Sequence, residues 1–326
     1  MGERMKTYLV TGGAGFIGSL LCRSLAGKGN KVICMDSLVT GQKNNVSDLE
    51  GNPRFTFVEE DVRKVDLGNF KVDGVYHLAA ICGVPRVEQK PLKIILNILE
   101  GTQRVLAWAA EKKIRVLFVS SSEIYGNPQV HPQPERYWGY TNPLGPRSPY
   151  VEAKRAGEAL CRAYRIEKGL EISIARLFNV YGPGFRKDDP RVIPRFIQAA
   201  LADEPLNLYG TGEATRSFCY VDDIVEGLVS LMDSGASDPV NLGYPEETEI
   251  RELAKVILRI TDSQSEINFL PAICEDPLRR LPDISRAKGL LKWEPNTTLE
   301  DGLRKTFEWI EEFISQGSLS TDESKS

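Results

Sequence analysis

The stretch Thr11-Gly12-Gly13-Ala14-Gly15-Phe16-Ile17-Gly18 constrains this chain more than any other. It follows an apolar run, Thr7-Tyr8-Leu9-Val10, that reads as a first strand, and it opens a helix expected from Gly15 to Lys28. Glycine at 12 permits a tight turn, glycine at 15 lets backbone approach a pyrophosphate, and glycine at 18 lets the helix pack against the strand. The helix N-terminus then faces the phosphates. A glycine triplet alone would also describe an ordinary turn. Here Asp36 closes a second apolar run, Lys31 to Asp36, at about the 20-residue distance where a ribose ligand belongs. A carboxylate there accepts from the ribose hydroxyls and repels a 2′-phosphate, and the residues after it, Ser37-Leu38-Val39, include no arginine. The cofactor expected is therefore NAD, held by Gly12, Gly15, Phe16, Ile17, Gly18, Asp36 and Ser37.

Further strands are expected at Phe55 to Glu59, Val75 to Leu78, Val116 to Ser120 and Glu171 to Leu177, and long helices at Pro91 to Lys112 and Tyr150 to Lys168. The strands are continuous apolar runs that alternate with helices, which marks a parallel sheet covered on both faces. The fold class is α/β, a Rossmann-type doubly wound parallel sheet with a smaller C-terminal substrate lobe. Asp61-Val62 falls after the third strand, where adenine would lie, and Leu78-Ala79-Ala80 ends the fourth, beside the cofactor. His77, inside that strand, reads as a packed histidine rather than a base.

Beyond Asn179 the chain becomes rich in Pro and Gly, with short helices such as Val192 to Ala202 and Ile250 to Ile260. The expected division is a cofactor domain at 1–178 that also receives 213–245, an interleaved substrate lobe at 179–314, and a polar flexible tail at 315–326.

A formal charge of -4 gives no footprint for nucleic acid or an anionic membrane surface, and the apolar runs are too short to span a bilayer. Six cysteines without a C-x-x-C pair, several among apolar neighbours, read as buried thiols of a reducing compartment, and a cytoplasmic protein is expected. With only two histidines, His77 and His131, no zinc-like spacing exists and no metal is expected.

Two motifs carry chemistry. In Tyr150-Val151-Glu152-Ala153-Lys154, residues four apart on a helix share a face, so Lys154 lies one turn above Tyr150. A phenol with pKa about 10 is a poor base at neutral pH. A close ammonium together with a nicotinamide cation would favour the phenolate, at about 4 kcal/mol. The spacing is common by itself; its weight comes from following the fifth strand and its terminal Ser120-Ser121-Ser122-Glu123-Ile124-Tyr125-Gly126. Ligands of open α/β sheets bind beyond the carboxyl ends of strands, where the Ser121 and Ser122 hydroxyls could bond a substrate oxygen. Glu123 in that place reads either as a functional carboxylate or as a solvated turn residue.

In this order and spacing the motifs resemble the extended short-chain dehydrogenase/reductase family, from about Thr7 to Ile310. Within it, several segments are similar to the UDP-glucuronate decarboxylases. They are Ser121 to Gln133, Tyr137-Trp138-Gly139, Asn142 to Arg147, Tyr150 to Arg155, Pro239 to Gly243 and Arg280-Leu281-Pro282-Asp283. The resemblance implies a UDP-sugar substrate. Asn179 would bind diphosphate, Tyr209 would lie near uracil, Arg216 and Arg280 would pair with phosphates, and Arg186 and Arg191 would lie on a covering loop. It also implies a homodimer through the two long helices, with Ile94, Ile95, Ile98, Leu99 and Leu106 on one and Ala153, Leu160 and Tyr164 on the other.

The chain departs from the decarboxylase pattern after Leu78, where Ala79-Ala80-Ile81-Cys82-Gly83-Val84-Pro85 looks like an epimerase. It departs again at Ile98, with Asn97 one place early for the usual asparagine. The implied activity is decarboxylation of a UDP-hexuronic acid with NAD recycled, carried by Tyr150, Lys154, Ser121, Ser122 and Glu123. A 4-epimerase and a 4,6-dehydratase stay open, and so does an NAD-sensing binding protein, against which Tyr150 and Lys154 argue.

Overall fold

The computed structural model describes residues 4–82, 87, 89–186, 189–272 and 277–315. Gly83, Val84, Pro85, Cys274 and the tail from 316 onward lie outside the described residues.

The strands are β1 (Thr7–Thr11), β2 (Lys31–Asp36), β3 (Phe55–Glu59), β4 (Gly74–His77), β5 (Arg115–Ser121), β6 (Ile172–Leu177), β7 (Asn179–Tyr181), β8 (Leu206–Tyr209), β9 (Thr215–Arg216), β10 (Phe218–Tyr220), β11 (Val240–Leu242), β12 (Thr248–Glu249) and β13 (Ile267–Leu270). Seven of them form one sheet in the order β11-β6-β5-β4-β1-β2-β3, every neighbour parallel. The helices are α1 (Phe16–Gly27), α2 (Pro91–Lys112), α3 (Ser148–Lys168), α4 (Val192–Leu201), α5 (Val221–Ser234), α6 (Ile250–Thr261), α7 (Ser285–Leu291) and α8 (Leu299–Ser315).

Successive strand side chains feed opposite layers, as a pleated strand requires. Val10 and Cys34 pack with Leu21 and Leu25 of α1 and Ile224 and Leu228 of α5. Their neighbours Leu9 and Met35 pack on the other face with Val105, Leu106 and Ala109 of α2 and Cys161 of α3. This is the doubly wound parallel sheet expected from the apolar runs. Beyond β6 a separate core forms from Phe196, Leu206, Leu208, Phe218, Leu253 and Leu303. β11 returns to the large sheet beside β6.

Boundaries move by one or two residues. Gly15 is extended, with φ -75 and ψ 175, so α1 starts at Phe16. α3 starts at Ser148 because Pro149 fits a first helical turn, whose N–H groups lack partners anyway. β4 ends at His77, one residue before the expected Leu78. Ser315, expected in the tail, still belongs to α8.

The expected dimer face is corrected in part. Ile94, Ile98, Leu106 and Ala153 are buried inside the chain itself, where α2, α3 and the sheet meet. Ile95, Leu99, Leu160 and Tyr164 are half-buried, and the large apolar residues exposed on these helices are Leu92, Leu96 and Ile166.

Candidate active site

The glycine loop is built as its sequence requires. Gly12 adopts φ +71, a conformation that L side chains rarely take, and donates its N–H to the Met35 carbonyl at 2.8 Å. A Cβ at Gly18 would stand 2.1 Å from the Gly12 carbonyl oxygen, so only glycine lets α1 pass so close to the turn. Asp36 sits below it, accepting from the Ala14 N–H at 3.0 Å and the Leu38 N–H at 2.9 Å. Burial raises its carboxyl above the ordinary value, and these N–H donors work against the rise.

A cavity of about 360 Å³ opens along the carboxyl ends of the strands. All the residues expected to hold the cofactor line it: Gly12, Gly15, Phe16, Ile17, Gly18, Asp36, Ser37, Asp61, Val62, Leu78, Ala79, Ala80, Tyr150 and Lys154. Ser121, Asn179, Arg186 and Arg191 line it as well. A glycine cradle facing a helix N-terminus, with a carboxylate one strand away, fits a dinucleotide. Asp61 is bound by its neighbour Arg63, 2.6 Å away, which holds its carboxyl below the ordinary value.

His77 is a packed strand residue. Its Nδ1 meets the Thr11 hydroxyl at 2.7 Å and its Nε2 the Thr102 hydroxyl at 3.2 Å, and burial, helped by Lys154, lowers its pKa to about 3.

The Tyr150–Lys154 pair differs from expectation. Lys154 is 3% exposed; its Nζ donates to the Val119 carbonyl at 2.7 Å and lies 5.9 Å from the centre of the Tyr150 ring. Burial lowers the ammonium to about 8. Burial also drives the Tyr150 phenol up, with the neighbouring Cys82 and Glu123 adding to the rise and a hydrogen bond with Ser121 opposing it. Desolvation thus dominates at Tyr150 in the protein alone, while the Lys154 ammonium is directed to the Val119 carbonyl of β5.

Beside this pair the chain after β5 makes a short turn, Ser122–Tyr125, capped by the Ser121 hydroxyl, which accepts from the Glu123 N–H at 3.2 Å. Ser122 is 2% exposed and is not part of the cavity wall. Glu123 is ion-paired with Arg280 through a very short contact and with Arg147 at 3.1 Å. Burial would raise its carboxyl, but Arg280, Arg147 and, more distantly, Arg216 overcome this and hold it below the ordinary value. Arg280, expected on a phosphate, is 2% exposed and devoted to Glu123 and the Gly126 carbonyl at 3.2 Å.

A second cavity of about 250 Å³ lies in the smaller lobe, lined by Asn179, Arg191, Tyr209 and Arg216 among others. It and the first cavity have Asn179, Val180, Pro190 and Arg191 in common.

Two features escaped the sequence. Arg147 stood out only as part of a matching stretch. The other is a buried network. The Ser120 hydroxyl donates to Glu158 at 2.6 Å, Arg176 pairs with Glu158 at 2.7 Å, and the Tyr125 hydroxyl joins Arg176 at 3.0 Å and Asn241 at 2.7 Å. Glu158 is four residues past Lys154, so helical spacing could have placed it on the same face.

With glycine cradle, Asp36, Tyr150–Lys154 pair and Ser121 all on one cavity, the chain belongs to the NAD dependent epimerase/dehydratase family, which matches residues 8–243. Its cofactor is NAD. Among curated relatives it is 45% identical to UDP-glucuronic acid decarboxylase 1 of Xenopus tropicalis over 305 residues, 94% of this chain and 72% of the relative. It is 44% identical to UDP-glucuronic acid decarboxylase 1 of Arabidopsis thaliana, over 93% of this chain and 69% of that one. Among solved structures it is similar to a UDP-glucuronic acid 4-epimerase from Bacillus cereus in complex with UDP-glucuronic acid and NAD. The TM-score is 0.87 and the identity 32%, over 94% of this chain and 99% of the other. A UDP-glucose 4-epimerase from Thermotoga maritima with UDP-glucose aligns with TM-score 0.88 at 29% identity, over 94% and 99%.

Proposed function

We propose that this protein decarboxylates a UDP-hexuronic acid, UDP-glucuronate being the leading candidate, through a 4-keto intermediate. The observation that carries this reading is Glu123, fixed as a carboxylate between Arg280 and Arg147 next to Tyr150. The curated relatives named above bear the same activity in their names.

Bound NAD supplies reversible two-electron chemistry at C4 of the sugar. Gly12, Gly15, Gly18 and Asp36 would hold it, and Lys154 would face its nicotinamide ribose. Tyr150 takes the C4 hydroxyl proton and later returns it. Ser121, whose hydroxyl opposes the rise of the Tyr150 phenol, would share the C4 oxygen with it; Ser122 stands behind as part of the turn. Once C4 is a ketone, the C5 carboxylate is that of a β-keto acid and leaves as CO₂. Donors at O4 stabilise the resulting enolate. C5 must then gain a proton. Glu123 is held ionised, so it would orient a water that delivers this proton rather than acting as the acid itself.

The second cavity would take the UDP moiety, with Tyr209 near uracil and Asn179, Arg216 and Arg191 near the diphosphate. Arg186, beside the first cavity, would close over the sugar. Arg280 would act at the sugar end through Glu123. We divide the chain into a cofactor lobe at 1–178 with 213–245 and a substrate lobe at 179–314. The return of β11 to the main sheet and the packing of α5 on it support this.

Leu92, Leu96 and Ile166, exposed on α2 and α3, support a homodimer through these helices. Light scattering at micromolar concentration should give twice the chain mass; a monomer would count against it. Among the described residues no helix is long and apolar enough to cross a membrane. The five described cysteines are free thiols, which supports a reducing, cytoplasmic setting.

A 4-epimerase is the second reading, favoured by the epimerase-like Ala79-Ala80-Ile81-Cys82 on the cavity wall. Mass spectrometry of the product from UDP-glucuronate separates the two. Loss of one CO₂ is expected; an unchanged mass with altered retention would establish the epimerase, and loss of one water a dehydratase.

A further inference from the structure

Arg191 occupies a position that binding either ligand alone does not account for. It precedes α4 and lines both cavities, the one built for the dinucleotide and the one in the smaller lobe. Its guanidinium lies 4.8 Å from the centre of the Phe16 ring, and Phe16 is the first residue of the helix whose N-terminus faces the cofactor pyrophosphate. The same guanidinium donates to the Val180 carbonyl at 3.3 Å, on the shared wall. Its Nε and one terminal nitrogen donate to Asp189, at 2.8 Å and 2.5 Å. The side chain is still 43% exposed, so an anion in either cavity can reach it.

Two diphosphates seated in adjoining cavities repel each other. Without a cation between them, each ligand would weaken the other. A guanidinium is planar and permanently charged, carries five donors, and suits phosphate oxygens on more than one side. Leaving the Asp189 carboxylate is a fixed cost, met once by whichever ligand binds first. The second ligand then meets a cation already turned toward the shared wall. That is the condition for positive coupling, and thermodynamic linkage makes it reciprocal.

We propose that Arg191 couples the two sites, making the nucleoside diphosphate of the substrate and the dinucleotide cofactor bind more tightly together than apart. The proposal rests on the assignment of the smaller-lobe cavity to UDP but not on which reaction follows.

The test uses the full chain with UDP and NAD as probes and no turnover. The NAD dissociation constant is measured by calorimetry without UDP and with UDP at saturation for the variant in hand. The UDP constant is measured with and without NAD as the reciprocal check. Where NAD stays bound through purification, its rate of loss on dilution with and without UDP gives the same comparison. In the unsubstituted protein UDP should tighten NAD by about fivefold or more. In Arg191→Gln the ratio should fall to within about twofold of unity, or invert as the uncompensated repulsion takes over. Arg191→Lys, which keeps the charge, should restore part of it. The ratio is the readout because a residue that merely binds phosphate would lower the UDP affinity and leave the ratio intact. An unchanged ratio in Arg191→Gln overturns the proposal, as does an unsubstituted protein in which UDP leaves NAD affinity alone or weakens it. Either result with CO₂ still released from UDP-glucuronate removes the coupling and leaves the proposed function standing.

Discussion

The cofactor cavity and the Glu123 cluster are made in opposite ways. The cavity's determinants are local: Gly12, Gly15 and Gly18 and Asp36 at the end of the next strand, with main-chain N–H groups fixing the carboxylate. The Glu123 cluster gathers Arg147 from the start of α3 and Arg280 from the loop before α7, 157 positions away in sequence. In the first, backbone shapes the cavity, and its requirements appear as glycines and a carboxylate at set intervals. In the second, side chains from distant segments set the charge state of one carboxylate. A site of the first kind is common to many chemistries, whereas the second kind decides among them.

The contrast can be broken at its two ends. Tyr150→Phe would remove the proton acceptor proposed at C4, and neither lobe could then act on the substrate. Turnover should fall by about 10² to 10⁴-fold, the usual share of a general base, with no reduced nicotinamide in the absorbance spectrum. Residual turnover within tenfold of the parent would show that another group takes this proton. A smaller effect is expected at the local end. Asp36→Ala should weaken NAD by roughly 10- to 100-fold, since hydrogen bonds to a charged group contribute about 1.5–3 kcal/mol. It should also narrow the preference for NAD over NADP. Equal affinity of the parent for both cofactors would refute the role given to this carboxylate.

The extent to which the sequence was legible follows the same division. The parallel sheet was legible because continuous apolar strands can be buried only between two helical layers, and Leu9 and Val10 do face opposite layers. α2 was legible to the residue because Pro91 opens it. β7 to β13 were not, since segments of two to four residues show no period to read. The residues that line the first cavity could be named from spacing and strand ends. For Glu123 the residue could be named but not its state, which depends on arginines that only the folded chain brings near. Tyr150 shows the same limit. The i,i+4 pairing with Lys154 was visible, yet the ammonium is directed to the Val119 carbonyl and burial raises the phenol instead. Spacing tells which side chains share a face, and it does not tell what the interior around them costs.

The claim that Glu123 serves the step after C4 oxidation is tested most directly by Glu123→Gln, mixed with NAD and UDP-glucuronate and followed at the reduced-nicotinamide absorbance band. Glutamine keeps the shape and leaves Tyr150, Lys154 and the glycine loop in place, so oxidation at C4 should proceed while completion at C5 is slowed. The account predicts a rise in absorbance that persists, with a 4-keto sugar in the mixture and turnover reduced by about 10²-fold or more. Normal turnover with no persistent signal would contradict it, leaving Glu123 as a partner that only packs Arg147 and Arg280 and moving the epimerase reading ahead.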